Sequence, residues 1–259
     1  MLNPNAWKLN INTARFFISS FINVLRSHFF WNLRSDKNSL IEYGYLVQEN
    51  FMEGEECKEL IEVFDHFVSE KILKDNGKGY IWEKKTFDGT DPNVTQFYNI
   101  DKAVPFLNRK YKPKIEQIAS KHIGKPVRIH RFMIYKDSPD HLTKRGFHSD
   151  NTYPTMKFFI YLTNCKETKN GPFTIIPRTH NRYLGRKLIN FFINIIQRRR
   201  IDELQMFSKE MGKPILGNAG DGILSIQNCA HRGGSDHIEK TRYMLVCYIA
   251  LEGFPNFNV

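Results

Sequence analysis

The chain has 259 residues, and its 38 lysine and arginine residues against 27 aspartate and glutamate residues give a formal net charge of +11. Hydrophobic residues make up 41% and charged residues 25%, which excludes a wholly disordered protein. The length allows one large domain or two small ones, either with a sizeable core. The surplus of positive charge predicts an acidic partner: a nucleic acid, an anionic membrane surface or an acidic metabolite.

The N-terminal segment holds part of this surplus. Residues 1–35 contain four basic and no acidic side chains, and we interpret them as a basic amphipathic extension that precedes a domain at 36–259. Apolar side chains recur at helical spacing on one face of this segment: Ile18, Phe21, Ile22, Leu25 and Phe29. We favour packing of this apolar face on the main domain, with the basic side chains in solvent. The alternative is a helix that lies in a membrane interface.

The next part of the chain predicts helices with few strands. Residues 40–47 indicate a short strand or edge segment, and residues 57–68 have the apolar spacing of a helix. Residues 74–95 are rich in Gly, Asp, Asn and Lys, which is typical of loops with at most one short strand. Residues 101–123 predict one or two helices, interrupted by Pro105 and Pro113.

The remainder has the pattern of a β domain. Short apolar or alternating runs, separated mostly by Gly, Pro, Asn and Asp, occupy residues 127–135, 157–163, 173–176, 222–226 and 243–251. This pattern favours a β barrel or sandwich. Because helices come first and strands follow, we predict an α+β class with a β core.

A second basic segment interrupts these strands. Residues 181–217 contain eight basic and three acidic side chains, and we interpret them as a basic helical insertion. Its apolar stripe comprises Leu184, Leu188, Phe191, Phe192 and Ile195. The opposite side carries Arg186, Asn190, Asn194 and Gln197. The same two interpretations apply, and the membrane alternative would give a peripheral contact through 14–31 and 182–200. Arg199 and its neighbours accompany no nucleic-acid-binding fold, so we expect no nucleic acid.

Three residues of the β region have the spacing of a metal site. His148 and Asp150 are two residues apart, so in an extended segment their side chains point to one face. His231 lies 83 positions after His148. Two histidines and a carboxylate leave one side of a metal open, which suits Fe(II), and Zn²⁺ accepts the same ligands. Arg242 offers a planar fork for a carboxylate, and Arg232 and Lys240 are alternatives to it.

These residues stand within motifs that resemble the phytanoyl-CoA dioxygenase family, over about residues 40–252. The motifs are Glu42-Tyr-Gly-Tyr-Leu-Val, Met133-Ile-Tyr-Lys, His148-Ser-Asp, Asn170-Gly-Pro-Phe, Ile176-Pro-Arg-Thr-His, Gly220-Asp, His231 and Arg242. The resemblance implies a double-stranded β-helix (jelly roll) core with flanking N-terminal helices. It also implies that His148, Asp150 and His231 bind Fe(II), and that Arg242 binds the distal carboxylate of the co-substrate 2-oxoglutarate.

The implied function is an Fe(II)- and 2-oxoglutarate-dependent dioxygenase that hydroxylates a small-molecule or lipid-like substrate. Asp150 stands where related halogenases have a small residue, which disfavours halogenation. Arg178 replaces the glycine that this family usually has in the turn before His180, so a positive φ there would be strained. The alternative is an inactive jelly-roll module that docks to an anionic membrane or acidic partner. We expect specificity in residues 74–100 and 181–217.

The cysteines favour a reducing compartment. Cys57, Cys165, Cys229 and Cys247 form no C-x-x-C pair, and a chain of this length does not need disulfides. We therefore expect free thiols and a cytoplasmic location, with membrane association as an option. Oligomeric state is not predictable from the sequence.

Overall fold

A computed structural model describes residues 11–34, 38–70, 82–85, 94–139, 146–150, 152–197, 199–233 and 238–254. The predicted boundary between the extension and the domain, at 35/36, lies outside these residues, as do most of the loop at 74–95 and position 198. Within the described part, no helix is both long and apolar enough to cross a bilayer. All four cysteines are buried free thiols, as predicted.

The N-terminal region contains three helices and one strand: α1 (Ile11–Asn32), α2 (Ser39–Tyr43), β1 (Tyr45–Gln48) and α3 (Gly54–Ser69). The helix predicted over 57–68 is confirmed by α3. The strand predicted over 40–47 is wrong in its first half, because Asn38 caps a single helical turn through the backbone N–H of Ile41. Gly44, at φ +88°, ends that turn, and the strand begins after it.

The segment that leads to the β region contains β2 (Trp82–Lys85), β3 (Val94–Tyr98), a 3₁₀ turn (Ile100–Lys102), a π-helical turn (Leu107–Tyr111) and α4 (Lys112–Ile123). Pro113 lies in the first turn of α4 and therefore begins this helix rather than interrupting it. The one short strand predicted within 74–95 corresponds to β2, and β3 begins at the end of that range.

The remaining elements are β4 (Val127–Asp137), β5 (Met156–Tyr161), β6 (Thr174–Ile175), α5 (Leu184–Ile196), β7 (Lys213–Pro214), β8 (Gly222–Ile226), β9 (His231–Arg232) and β10 (Arg242–Leu251). The five predicted runs all become strands. They form a seven-stranded sheet in the order β1-β8-β5-β10-β4-β3-β2 and a three-stranded sheet in the order β7-β6-β9. Every strand pair is antiparallel.

The two faces of the large sheet bury different clusters. Along β10, Met244 and Val246 pack with Phe173 and Ile175 of the small-sheet region, and so lie inside the roll. Leu245 and its odd-numbered neighbours instead join the core beneath the helices. The predicted α+β class with a jelly-roll core is confirmed. Because side chains alternate along a strand, Arg242 shares the inner face with Met244.

Each basic segment contains a helix, but α5 covers only part of the predicted insertion at 181–217, which also contains β7. The favoured packing face is wrong for α1. Ser20, Ser27 and Trp31 are buried against the domain, whereas Ile18 and Phe29 are 60% and 50% exposed. Trp31 donates a hydrogen bond of 2.9 Å to the Asn228 side chain. The helix is therefore anchored through polar and aromatic side chains, and much of its apolar stripe faces solvent.

The predicted faces of α5 are partly wrong too, because polar side chains are again buried. Phe191 of the predicted stripe is buried, but Phe192 is 51% exposed. Asn190 and Asn194, which we placed on the outer face, are almost fully buried. Their amide groups contact the segment at 203–206, as described below, so these two asparagines point inward, while Arg186 and Gln197 are exposed.

Candidate metal centre

His148 and His231 are held opposite each other by the backbone. The two residues form an antiparallel bridge in which each backbone N–H donates to the other's carbonyl oxygen at 3.0 Å. On its other side, His231 pairs with Ile175 of β6. The imidazole rings lie with their centroids 4.5 Å apart, and both residues are buried. The 83-residue gap in sequence thus closes to a direct strand contact.

Asp150 completes the cluster from the same face as His148. One carboxylate oxygen lies 3.5 Å from Nε2 of His148, and the other lies 3.5 Å from Nε2 of His231. One nitrogen or oxygen atom from each of the three residues lies within 4.8 Å of the others. The side chains two residues apart therefore converge, in a segment where His148 forms a bridge and positions 147 and 150 are bends.

The histidines are oriented as metal ligands. Nδ1 of His148 lies 3.1 Å from the carbonyl oxygen of Gly146, and Nδ1 of His231 lies 2.9 Å from that of Cys229. Because a carbonyl can only accept, each Nδ1 carries the proton and each Nε2 presents its lone pair toward Asp150. Two imidazole nitrogens and a carboxylate, converging and nearly buried, fit a divalent transition metal with open coordination positions.

Lys157 was missed by the sequence analysis. Its ammonium group contacts the Asp150 carboxylate and lies 4.3 Å from the ring centre of Tyr248. Burial alone would raise the pKa of Asp150, but the adjacent positive charge of Lys157 holds that pKa well below its ordinary value. Strand alternation could have identified it, because Lys157 is an even number of residues from Phe159 and Tyr161 and so shares the inner face of β5 with them.

Arg242 lies inside the roll, where its guanidinium is already engaged. Nε donates to the Asp137 carboxylate at 2.7 Å, Nη2 contacts the same carboxylate, and Nη1 donates to the carbonyl oxygen of Gly171. A Cβ atom built on Gly233, two residues after His231, would lie 3.9 Å from Nη2. These contacts occupy three of the five N–H donors, so within the described residues two remain for another carboxylate.

The two alternatives to Arg242 have different surroundings. Lys240 is exposed, and Arg232 lies 5.9 Å from the ring centre of Phe147. His180 contacts the carbonyl oxygen of Ile41 and the thiol of Cys229, and so it fixes its turn against α2 rather than binding a metal. Of the other histidines near the motifs, His130 has its ring centroid 5.9 Å from that of Tyr248, and His141 and His237 lie outside the described residues.

The turn before His180 has the strain that its sequence predicts. Arg178 has φ +67°, a left-handed conformation that glycine adopts without cost. Its backbone N–H donates to the carbonyl oxygen of Tyr43 at 3.0 Å, and its guanidinium contacts Glu42 and lies over the Tyr43 ring. Contacts with α2 therefore hold the arginine where glycine would be expected.

Comparison with known proteins identifies the family. The sequence profile described as "Phytanoyl-CoA dioxygenase (PhyH)" matches residues 40–244. The chain belongs to the phytanoyl-CoA dioxygenase family. The predicted enzyme class, a dioxygenase that uses iron and 2-oxoglutarate, is thereby confirmed. No curated protein sequence matches the chain.

Solved structures share the fold of this phytanoyl-CoA dioxygenase family member. HygX from Streptomyces hygroscopicus, solved with nickel and 2-oxoglutarate, is 13% identical with a TM-score of 0.60, over 83% of this chain and 85% of its own. EctD from S. alaskensis, solved with iron, is 16% identical with a TM-score of 0.57, over 82% and 74%. The epimerase SnoN from nogalamycin biosynthesis is 11% identical with a TM-score of 0.54, over 88% and 83%.

Proposed function

We propose that this enzyme hydroxylates a small-molecule or lipid-like substrate at a metal held by His148, Asp150 and His231. The observation that carries the proposal is the convergence of two Nε2 lone pairs and a carboxylate at the inner end of the roll. When bound, iron and 2-oxoglutarate supply the oxidation: O₂ gives one oxygen to the substrate and one to succinate, with release of CO₂.

The protein's own side chains hold and orient these groups. The Gly146 and Cys229 carbonyls fix the histidine tautomers, and Lys157 orients the Asp150 carboxylate. Arg242 offers its remaining donors to the distal carboxylate of 2-oxoglutarate, while Asp137 holds the guanidinium in place. Burial of both histidines excludes bulk water from one side of the site.

Two features support hydroxylation of a small molecule. Asp150 supplies the third protein ligand, which leaves no position for a halide in its place. Structures similar to this chain were solved with small molecules, hygromycin B in HygX and 5-hydroxyectoine in EctD. The reaction outcome stays a proposal, since the similar structures include an epimerase and a carbocyclase.

The test combines binding with turnover. Purified protein is titrated anaerobically with Fe(II) and 2-oxoglutarate while the visible charge-transfer absorption of the complex is recorded, and succinate is measured after O₂ is admitted. Asp150→Ala is expected to lose the absorption and the succinate. His66→Gln, an exposed histidine on α3, is the control. A folded, iron-loaded protein that never binds 2-oxoglutarate contradicts the proposal and favours the inactive module.

A further inference from the structure

We infer that the outward surfaces of α1 and α5 together dock on an anionic lipid bilayer. This outer helix face comprises Arg15, Ile18, Ile22, Arg26, Phe29 and Leu33 of the α1 region, with Arg186, Ile189, Phe192 and Ile196 of α5. The inference goes beyond the proposed chemistry, because it concerns where the enzyme works and requires neither metal nor co-substrate.

The outward line of α1 is apolar and basic throughout. Its members are spaced three or four residues apart, so they lie on one side of the helix, and all six are exposed. Ile18 is 60% exposed, Ile22 46% and Phe29 50%. The inward line carries two serines, Ser20 and Ser27, together with Trp31. Soluble surface helices place most of their apolar side chains on the core, whereas this helix leaves a continuous line of them in solvent.

The α5 helix also has buried polar and exposed apolar side chains, and hydrogen bonds explain why. The Asn190 side chain accepts a hydrogen bond from the backbone N–H of Met206 at 3.2 Å, and Asn194 donates to the carbonyl oxygen of Glu203 at 2.8 Å. These contacts hold the two asparagines inward. Ile189 and Ile196 are consequently 49% and 80% exposed on the other side.

The two stripes are continuous. The Phe21 ring of α1 lies 5.9 Å from the Phe192 ring of α5 and 6.1 Å from the Phe191 ring, measured between centroids. Because Phe192 is itself exposed, the apolar surface passes from one helix to the other without a polar gap at this contact. A contiguous apolar surface of this kind on a soluble domain marks a binding site.

Charge identifies the occupant as an anionic bilayer. Arg15, Arg26 and Arg186 are exposed beside the apolar side chains, and neither residues 1–35 nor residues 181–201 contain an acidic residue. A basic helix with Phe and Ile on its outer side binds the interface of anionic lipids in two ways: its apolar side chains enter the acyl boundary, and its arginines are attracted to the headgroups. A symmetric pair of copies would place these arginines against each other, which disfavours a second chain as the occupant.

The experiment measures co-sedimentation of the full chain with vesicles of phosphatidylcholine alone and of phosphatidylcholine with phosphatidylserine. Binding is expected only to the mixed vesicles and is expected to weaken at high salt. The triple variant Arg15→Gln/Arg26→Gln/Arg186→Gln should lower the partition constant on the order of 100-fold, from about 1 kcal/mol per arginine. Ile22→Asp with Phe192→Asp should lower it roughly tenfold or more.

Leu216→Ser is the matched control, since Leu216 is also exposed and apolar but lies on neither helix. Its binding should equal that of the wild-type chain. Thermal melting checks that each variant folds. No binding, or equal binding to both vesicle types, overturns the inference. The inference is also overturned if the chain does not bind vesicles but forms a concentration-dependent dimer that Ile22→Asp dissociates. Vesicle binding by a chain without turnover leaves this inference standing and counts against the catalytic proposal alone.

Discussion

The metal end of the roll and the outer helix face treat polarity in opposite ways. At the metal end, charged side chains lie inside the protein and are matched in pairs, Lys157 with Asp150 and Arg242 with Asp137. On α1 and α5, a line of apolar side chains lies outside, while small polar side chains are buried beside Trp31 and Phe191. In both regions, hydrogen bonding and charge pairing help to decide which side chains are buried, and hydrophobicity alone does not.

The largest expected effect comes from breaking a buried pair at the metal end. Arg242→Met leaves the Asp137 carboxylate buried without its cation, which should lower the free energy of unfolding by about 3–5 kcal/mol. It should also abolish binding of 2-oxoglutarate. Denaturant unfolding and anaerobic titration measure the two effects separately.

The double variant Arg242→Met/Asp137→Leu separates stability from function. With both charges removed, most of the lost stability should return, because a matched apolar pair carries no uncompensated charge. Binding of 2-oxoglutarate should stay absent. Recovery of co-substrate binding in the double variant would contradict the role assigned to Arg242.

Lys157→Met tests whether the second buried cation is a positioning residue for the metal. Removing the ammonium group frees the Asp150 carboxylate to rotate, and affinity for Fe(II) should fall about 10- to 100-fold. Calorimetric titration with Fe(II) measures this change without turnover. Lys157→Arg, which keeps the charge, should restore part of the affinity. Equal affinity in all three proteins would mean that Lys157 is only structural.

The contrast also explains which parts of the molecule the sequence could predict. The strands were predictable because apolar runs and turn residues are local signals, and the ligands were predictable because His148, Asp150 and His231 carry unusual chemistry at a strand spacing. Asp137 and Lys157 were missed because each gains its partner only through strand pairing. In the sequence, Asp137 looks like an ordinary loop residue and Lys157 like the end of an apolar run.

The faces of α1 and α5 were mispredicted for a different reason. Periodicity locates an amphipathic helix but does not say which side faces the domain. That choice depends on Trp31 reaching Asn228 and on Asn194 reaching Glu203, contacts between segments far apart or across a turn. The single-turn helix α2 was missed because its cap, Asn38, supports only five residues.

His180 lies between the two regions and should make stability depend on pH. Burial lowers its pKa to about 3, and its ring lies 6.1 Å from that of Trp31 on α1. The folded chain keeps this histidine neutral, whereas the unfolded chain takes up a proton below about pH 6.5. The free energy of unfolding therefore has its full value, as far as this histidine is concerned, above about pH 6.5. It falls as the pH drops toward 3, and at pH 5 it is lower by about 2 kcal/mol.

Unfolding free energies at pH 7 and pH 5 measure this term. In His180→Gln the difference between the two pH values should shrink by about that amount, while His66→Gln, an exposed control, should keep the wild-type difference. A His180→Gln protein with the wild-type pH dependence would contradict the assignment.

Asn194→Leu tests the contact that turns α5 inward. The substitution leaves the Glu203 carbonyl without its donor, and should lower the free energy of unfolding by about 1 kcal/mol. Because Glu203 also pairs with His148, affinity for Fe(II) should fall as well. Gln197→Leu, exposed at the end of the same helix, is the control and should change neither quantity. Loss of stability without loss of metal affinity would show that the helix does not support the site.

The smallest effect is expected on the outer helix face itself. Ile18→Ser and Phe29→Ser remove apolar side chains that are already in solvent, so each should change the free energy of unfolding by no more than about 0.5 kcal/mol. Trp31→Ala, on the inward line of the same helix, should lower it by about 3–5 kcal/mol. If the serine variants were as unstable as Trp31→Ala, the stripe would be part of the core, and no surface would remain for a bilayer. Unchanged stability together with weakened vesicle binding would show that these side chains serve an interaction outside the fold.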